Sequence, residues 1–383
     1  MTRNIPLLYL HKFLIYFAPY SAFLVIYFNQ VAGSYTAAML VTAVGALASA
    51  FLDIPTGVFS DRMGRRRTIA LGSFFYVLGL SCYAFAHGLP LLLTGAVLLG
   101  MGRCLFNGNN TALLYESLRT TDGTHLFAHH HGRIGTIFQL SLAISALCGG
   151  LLALVNLRAI FLVSIVPVAL AFPLCFFLQE PEIHVTRQTK DMAHLYEACR
   201  LVLRSRKLFL LILGQALSKA ISDTTFSFKP ALVSLIWPTW LAGFYRAGSQ
   251  TLGAISFWFA NQIIQKVRPA RVLVLSQIYW FVTQGLAVLL MNEASPLLMV
   301  VENVPYGPYS VAVDLMLQNE FTDAQRATLG SLASFSTSIF YALSSLAIGY
   351  VADEWGLQAG IGFGIILNGL TLPIFLTLAR RHF

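Results

Sequence analysis

Charged side chains occur at several points inside long apolar stretches of this chain. A charge at membrane depth is costly unless it faces water or an opposite charge, so such residues mark a solute or ion pathway. They are Asp53, Arg103, Lys219, Asp223, Arg246, Glu302 and Asp314. Lys219 and Asp223 stand four positions apart, which lets them pair on one face of a helix. The carboxylates can also bind and release protons once they are removed from water.

Polar and aromatic residues accompany these charges and predict a cavity beside them. We expect the pathway to include Asn109, Asn110 and Tyr306. The other candidate cavity residues are Tyr16, Tyr20, Gln139, Asn303 and Tyr309. Pro305 and Pro308 predict a kink near Glu302, because proline interrupts the helical hydrogen-bond ladder.

The composition shows which elements must position these residues. The chain has 383 residues, of which 57% are hydrophobic and only 11% are charged, with a mean hydropathy of +0.70. A soluble globular protein is far less apolar, so the sequence predicts a polytopic membrane protein. The net charge of +9 then reflects loop arginines and lysines, and we expect no nucleic-acid partner.

Apolar runs of about 20 residues predict twelve transmembrane helices and an all-α fold of two six-helix bundles. The predicted spans are 7–28, 36–58, 68–86, 89–115, 133–155, 158–178, 208–228, 239–262, 271–290, 296–318, 327–351 and 357–379.

The distribution of positive charge predicts the orientation. With both termini in the cytoplasm, most of the 25 lysines and arginines fall in cytoplasmic ends and loops. Only Arg158 and Lys229 are predicted near the opposite side. We therefore expect a multi-pass protein of a bacterial inner or plasma membrane, monomeric and in contact with membrane lipids.

A charged interruption near the midpoint divides the chain. We predict an N-terminal bundle over 1–180, a cytoplasmic linker over 181–207 and a C-terminal bundle over 208–383. Within the linker, apolar residues recur at helical spacing over 192–203, which is typical of an amphipathic helix on the inner leaflet. A solvated linker with incidental periodicity is the alternative.

The segment between the second and third predicted spans, Asp53–Arg67, is densely charged. Its spacing resembles the signature loop between helices 2 and 3 of the major facilitator superfamily, through Gly57, Asp61, Arg62, Gly64, Arg65, Arg66 and Arg67. The preceding Asp53, Pro55 and Thr56 are similar to the variant in drug-exporter-like members. The resemblance implies a gate. In one transporter state Gly57 and Asp61 would contact the start of helix 11 near 326–328, and in the other state this contact would break.

Two further segments bear on the resemblance. Gln265–Arg271 keeps the basic character of the signature loop but lacks its acid and glycines, as expected for a degenerate second copy. In helix 5, antiporter members of the superfamily often carry a glycine- and proline-containing run. This chain matches only its last two glycines, Gly149 and Gly150.

The sequence therefore predicts a secondary transporter that moves a small organic solute by alternating access, with proton coupling and export. No cofactor and no catalytic residue are predicted. An alternative solute is an anionic metabolite or a metal chelate, which would be taken up or exported. The embedded cations Arg103, Lys219 and Arg246 favour this alternative.

Two alternatives come from a different class of protein. His125, His129, His130 and His131 have a spacing similar to one histidine box of membrane di-iron enzymes, so a histidine-cluster metalloenzyme is one alternative. Such enzymes need several boxes, and the other histidines are isolated. A receptor that keeps a transporter fold is the second alternative.

Overall fold

The computed structural model describes residues 3–120, 123–180, 200, 202, 204–320 and 326–380. Fifteen α-helices longer than six residues occur in these ranges. They are α1 (Asn4–Tyr16), α2 (Leu24–Ala32), α3 (Tyr35–Met63), α4 (Arg65–Ala84), α5 (Leu89–Arg119), α6 (Phe127–Ala153), α7 (Leu157–Leu174), α8 (Arg206–Ile236), α9 (Leu241–Lys266), α10 (Pro269–Leu290), α11 (Ser295–Val301), α12 (Tyr306–Glu320), α13 (Arg326–Trp355), α14 (Leu357–Gly369) and α15 (Leu372–Arg380). The predicted amphipathic helix over 192–203 lies outside the described residues, except for Arg200 and Val202.

These helices form the twelve membrane spans of the predicted all-α fold, which is confirmed. Three spans consist of two helices each: α1 with α2, α11 with α12, and α14 with α15. The predicted spans 7–28 and 357–379 are thus each interrupted, and the interruption within 296–318 is the kink that its prolines predict. Pro19, Pro305 and Pro373 stand at the three interruptions, where proline lacks a donor and crowds the preceding turn. The axes on either side of the first interruption differ by 57°.

Apolar character varies among the described spans. Eight helices are long and apolar enough to cross a membrane, and the bent pair at the N-terminus is a ninth. The other three spans are α8, α9 and α11 with α12. They are less apolar because they carry the embedded charges, among them Lys219, Arg246 and Glu302. Charge at depth requires compensation by neighbouring helices.

Contacts between residues divide the chain into two units. The first unit contains Met1–Gly33 and Val44–Thr189, and the second contains Ser34–Ala43 and Lys190–Phe383.

In the first unit, α4 and α5 approach closely along facing glycines. A Cβ atom added to Gly102 would lie 2.7 Å from the carbonyl oxygen of Gly72, and one added to Gly79 would lie 2.9 Å from that of Gly95. Small residues at such positions allow direct backbone contact between membrane helices. This packing holds α5, and with it Arg103 and Asn110, in place.

In the second unit, the first turn of α3 packs on the end of α13. The Asp353 carboxylate accepts hydrogen bonds from the backbone N–H groups of Tyr35 and Thr36, at 2.7 and 2.8 Å. Gly349 permits the approach, since an added Cβ would lie 2.9 Å from the Thr36 Cα atom. A carboxylate is well placed at a helix N-terminus, where the exposed N–H groups carry partial positive charge.

The second unit has a core formed by α8, α10, α12, α13 and α15. Leu211, Leu273, Ala312, Leu329 and Phe375 are fully buried in it. Because this core holds α8 and α12 firmly, the charged residues of both helices have defined neighbours.

Candidate functional site

Lys229 of α8 and Glu302, at the C-terminal end of α11, form a buried ion pair in the second unit. The Lys229 ammonium donates a hydrogen bond to Glu302 Oε1, and the residues are 2% and 4% exposed. Glu302 Oε2 has no hydrogen-bond partner among the described residues. The backbone carbonyl of Glu302 accepts from Trp280 Nε1 at 2.8 Å. One carboxylate oxygen therefore remains available to bind a proton or water.

The position of Lys229 corrects the predicted boundary. The prediction ended this helix at 228 and put Lys229 near the membrane surface, but α8 continues to Ile236 with Pro230 inside it. A proline in a helix is tolerated when neighbouring helices support the backbone. The signal was present in the sequence, because the apolar run that follows Lys229 continues to Trp237.

Arg246 of α9 lies beside this pair and has its own partners. Its guanidinium stacks on the Phe226 ring at 3.7 Å from the centroid, and Nη1 donates to the Phe226 carbonyl oxygen at 3.2 Å. Nearby, the Tyr245 hydroxyl and Ser249 Oγ are buried without a partner in the described part of the chain. These hydroxyls, like Glu302 Oε2, are buried polar groups that no described group satisfies.

Lys219 and Asp223 of α8 form the ion pair that their spacing predicts. The ammonium lies 3.1 Å from Asp223 Oδ2, and the two side chains are 48% and 45% exposed. Asp314 and Tyr306 of α12 lie within electrostatic range of Lys219. This group is accessible, unlike the Lys229–Glu302 pair, and it places four predicted pathway residues together.

Arg103 is the embedded cation of the first unit. It lies in the middle of α5, yet it is exposed. Its electrostatic neighbours are the hydroxyl groups of Tyr76, Tyr20 and Tyr16, and Tyr20 and Tyr76 are hydrogen-bonded to each other at 3.0 Å. No carboxylate lies within ion-pair distance of Arg103 in the described residues. An exposed guanidinium within a bundle requires water or an anion.

Asn109 and Asn110 of α5 have different surroundings. The Asn109 oxygen accepts from Ser60 and Arg65, and its amide donates to the Leu105 carbonyl oxygen at 2.7 Å, which gives it a structural role. Asn110 contacts His11 Nδ1 at 3.4 Å, and its oxygen has no partner among the described atoms. Asn110 therefore remains the better pathway candidate.

The signature loop contains a buried network that the sequence did not reveal. Gly64 separates α3 from α4 with φ +89°, a conformation that favours glycine. Arg65 Nε lies 3.3 Å from Glu116 Oε1, and Arg65 Nη1 donates to Ser60 Oγ at 2.6 Å. Glu180 accepts from the backbone N–H group of Arg65 at 2.6 Å, and from that of Arg66. Neither glutamate was predicted, since each lies far away in sequence.

Other residues of that loop are described less fully. The backbone of Gly57, Asp61 and Arg62 is helical within α3. The side chains of Asp61 and Arg62 lie outside the described atoms, as do those of 326–328. The implied gate between them stays a prediction. Arg66 is half-buried, whereas Arg67 and Asp53 are exposed.

The histidine cluster surrounds the start of α6. The Tyr9 hydroxyl is 2.6 Å from His130 Nδ1, and the ring of His131 stacks on Phe127. Within the described ranges, no three His, Cys, Asp or Glu side chains are grouped to hold a metal ion. Here the histidines make local contacts with aromatic side chains.

Helical spans, two units and embedded charges together define a membrane-transporter fold, and comparisons with known proteins identify its family. The sequence profile of the Major Facilitator Superfamily matches residues 8–304. The chain belongs to this superfamily, whose members include membrane transporters.

Individual relatives are distant in sequence. The chain is 21% identical over 355 residues to the uncharacterized MFS-type transporter YxaM of Bacillus subtilis (strain 168), covering 88% of this chain and 85% of that protein. The crystal structure of the D323A mutant of the nucleoside transporter NupG superposes with a TM-score of 0.85 at 13% identity, covering 98% and 99% of the two chains. The POT family transporter PepTSo superposes with a TM-score of 0.83 at 13% identity, covering 100% and 98%. At these identities the structural matches establish the fold. They do not assign the chain to the drug-exporter-like subgroup, so membership of that subgroup stays a prediction.

Proposed function

We propose that this secondary transporter is coupled to protons and moves a small organic solute by alternating access. The observation that carries the proposal is the Lys229–Glu302 pair, buried and with Glu302 Oε2 unpartnered. A proton that binds Glu302 cancels its charge and releases Lys229, which changes the electrostatic balance between α8 and α11. If one transporter state gives this pair access to only one side of the membrane, proton binding shifts the population of states.

The charge of the solute follows from Arg103. This cation is exposed and has no acidic partner in the part of the chain that the structure describes. An organic anion would supply the missing charge, through paired hydrogen bonds of the kind that a guanidinium forms with a carboxylate. An anionic metabolite or a metal chelate is thus favoured over a lipophilic cation.

The direction proposed is export in exchange for protons. Its support is the similarity of Asp53, Pro55 and Thr56 to drug-exporter-like members. Uptake together with protons is the alternative, which the missing glycine and proline positions of helix 5 favour.

Transport into proteoliposomes tests the coupling. A ligand-stabilisation screen of organic anions, cations and lipophilic drugs first supplies a substrate. Its accumulation is then measured under pH gradients of either sign, for the wild type and for Glu302→Gln. We expect the substitution to reduce gradient-driven accumulation to the level of empty liposomes, while exchange of substrate for substrate continues. The sign of the effective gradient distinguishes export from uptake.

Glu354→Gln provides the matched control, since Glu354 is an exposed carboxylate at the end of α13. It should leave accumulation unchanged. Accumulation by Glu302→Gln that still follows the pH gradient would show that another group carries the proton.

A further inference from the structure

We infer that the Lys219–Asp223 pair of the second unit binds the zwitterionic group of an α-amino acid, with Lys219 facing the carboxylate of the solute and Asp223 facing its ammonium. The inference rests on the proposed function and narrows the small organic solute to one chemical class. An amino acid with an acidic side chain has a net negative charge, so it also meets the charge proposed above.

The first observation is the position of this pair in the membrane. Lys219 and Asp223 stand on either side of the midpoint of α8, a helix of 31 residues. Their side chains are nonetheless 48% and 45% exposed, so the neighbouring helices leave a large part of each uncovered. Charged groups at this depth do not face hydrocarbon, because leaving water costs too much. The uncovered side of the pair therefore faces a water-filled path that a solute can enter.

The second observation is the distance between the two charges. The Lys219 ammonium lies 3.1 Å from Asp223 Oδ2, so one small ligand reaches both groups. In an α-amino acid a single carbon atom separates the ammonium from the carboxylate, which gives the ligand an equally close pair of opposite charges. Placed head to tail against Lys219 and Asp223, this group forms two ion pairs in place of one. A ligand with a single charge is attracted by one member of the pair and repelled by the other.

The third observation is that charges on either side compensate the pair when it opens. Asp314 lies within electrostatic range of Lys219, and Arg246 lies within electrostatic range of Asp223. Acid and base therefore alternate, in the order Asp314, Lys219, Asp223 and Arg246. Breaking an ion pair at depth is costly mainly when a charge is left uncompensated. Here each member of the pair keeps an opposite charge nearby while a ligand enters between them.

The other ion pairs between described residues lack this accessibility. The side chains of Lys229 and Glu302 are 2% and 5% exposed, and those of Arg65 and Glu116 are each 9% exposed. A ligand would have to displace packed side chains to reach either pair. Among these pairs, the one on α8 is therefore the pair that can exchange its partner for a solute.

Binding to the purified full-length protein tests the inference without requiring transport. L-Glutamate is compared with glutarate, which lacks the ammonium, and with isoglutamine, in which a neutral amide replaces the α-carboxylate. L-Alanine is compared in the same way with propionate and alaninamide, so that the result does not depend on one side chain. Isothermal titration calorimetry measures the affinities. In at least one series we expect the amino acid to bind about tenfold or more tightly than both analogues, because each analogue loses one contact between charged groups.

Two variants locate the site. Lys219→Gln should weaken binding of the amino acid about tenfold or more without weakening binding of its α-amide, which has no α-carboxylate for Lys219 to contact. Asp223→Asn should weaken binding of the amino acid to a similar degree without weakening binding of the deaminated acid. Arg206→Gln, which alters an exposed arginine in the first turn of the same helix, is the matched control and should bind the amino acid as the wild type does.

The results separate this inference from the proposed function. If the wild type binds neither amino acid more tightly than its two analogues, the inference is overturned, even if the variants do not fold. Folded variants that keep the wild-type preferences would overturn it as well. Proton-driven transport of another solute would then leave the proposed function standing. Conversely, amino-acid binding with no effect of pH gradients on transport would support the site and contradict the coupling.

Discussion

Each unit contains a buried pair of opposite charges, Arg65 with Glu116 in the first and Lys229 with Glu302 in the second. In the first pair the guanidinium also donates to Ser60 and to Asn109, at 2.6 and 3.0 Å. In the second pair the ammonium donates to Glu302 alone among the described residues, and the carboxylate keeps an oxygen without a partner in the same part of the chain.

The local backbone also differs between the two pairs. Glu116 lies inside the continuous helix α5, whereas Glu302 lies in the interruption between α11 and α12. A carboxylate beside a helix interruption can change its surroundings with a small movement of one short helix. A carboxylate within a long packed helix cannot do so without moving the whole span.

Hydrogen-bond satisfaction, rather than charge, separates the Arg65–Glu116 pair from the Lys229–Glu302 pair, for which we propose a role in coupling. Buried polar groups are normally satisfied, and an exception calls for an explanation. The network of Arg65 is satisfied by several partners and stabilises the signature loop. Glu302 retains capacity to bind a proton, which is why the proposed coupling is placed there.

The substitution with the largest expected effect tests whether packing against α9 holds the helix interruption beside Glu302. A Cβ added to Gly307 would lie 2.4 Å from the backbone nitrogen of Phe257, and backbone atoms cannot move aside easily. Gly307→Ala should therefore lower the free energy of unfolding by more than about 3 kcal/mol, or prevent folding. Thermal denaturation of the purified protein in detergent measures the change.

Gly285→Ala is its control, because an added Cβ there meets no atom within 4 Å and alanine favours the α10 helix. It should leave stability unchanged or raise it slightly. A fully stable Gly307→Ala protein would mean that the interruption is not held by contact with α9.

The next effect contrasts the two pairs directly. Lys229→Met leaves a buried carboxylate without compensation and should cost about 3–5 kcal/mol, and Arg65→Met should cost a similar amount. Adding Glu302→Met to Lys229→Met should restore most of the stability, since the apolar pair then leaves no buried charge uncompensated. Adding Glu116→Met to Arg65→Met should not restore the stability, because Ser60 and Asn109 still lack the Arg65 donor, at a cost of about 1–3 kcal/mol.

Chemical denaturation of the four variants, compared with the wild type, measures these differences. Equal recovery of stability in the two double variants would show that the additional hydrogen bonds of Arg65 do not distinguish its pair from the Lys229–Glu302 pair.

The smallest effect concerns carboxylates that bind helix N-termini. Glu180 accepts from the first N–H groups of α4, and Asp353 accepts from those of α3. Glu180→Gln and Asp353→Asn should each lower stability by about 1–2 kcal/mol, because the amide loses the charge and also replaces one of the two accepting oxygens by an NH2 group that cannot accept. The part of the loss that comes from the charge should shrink as salt is added during thermal denaturation.

Glu354→Gln, beside Asp353 and exposed like it, but without a contact to a helix N-terminus in the described structure, should have no measurable effect. A loss that stays constant from low to high salt would show that hydrogen-bond geometry, and not charge, stabilises these helix ends.

Most of the fold followed from the sequence, because a membrane span requires about 20 apolar residues and a dozen such runs are visible. The Lys219–Asp223 pair was also predictable, since both residues lie on one helix at a spacing of four. The signature loop was recognisable from glycines and charges that stand close together. In each case the information is local, and helical geometry alone determines the neighbours.

What the tertiary structure decided lies between segments that are distant in the chain. The sequence did not indicate that Lys229 reaches Glu302 or that Arg65 reaches Glu116. Each pairing depends on which faces of separate helices meet. Hydropathy specifies that a helix lies in the membrane, but the contacts between its side chains and those of its neighbours arise only when the bundle packs.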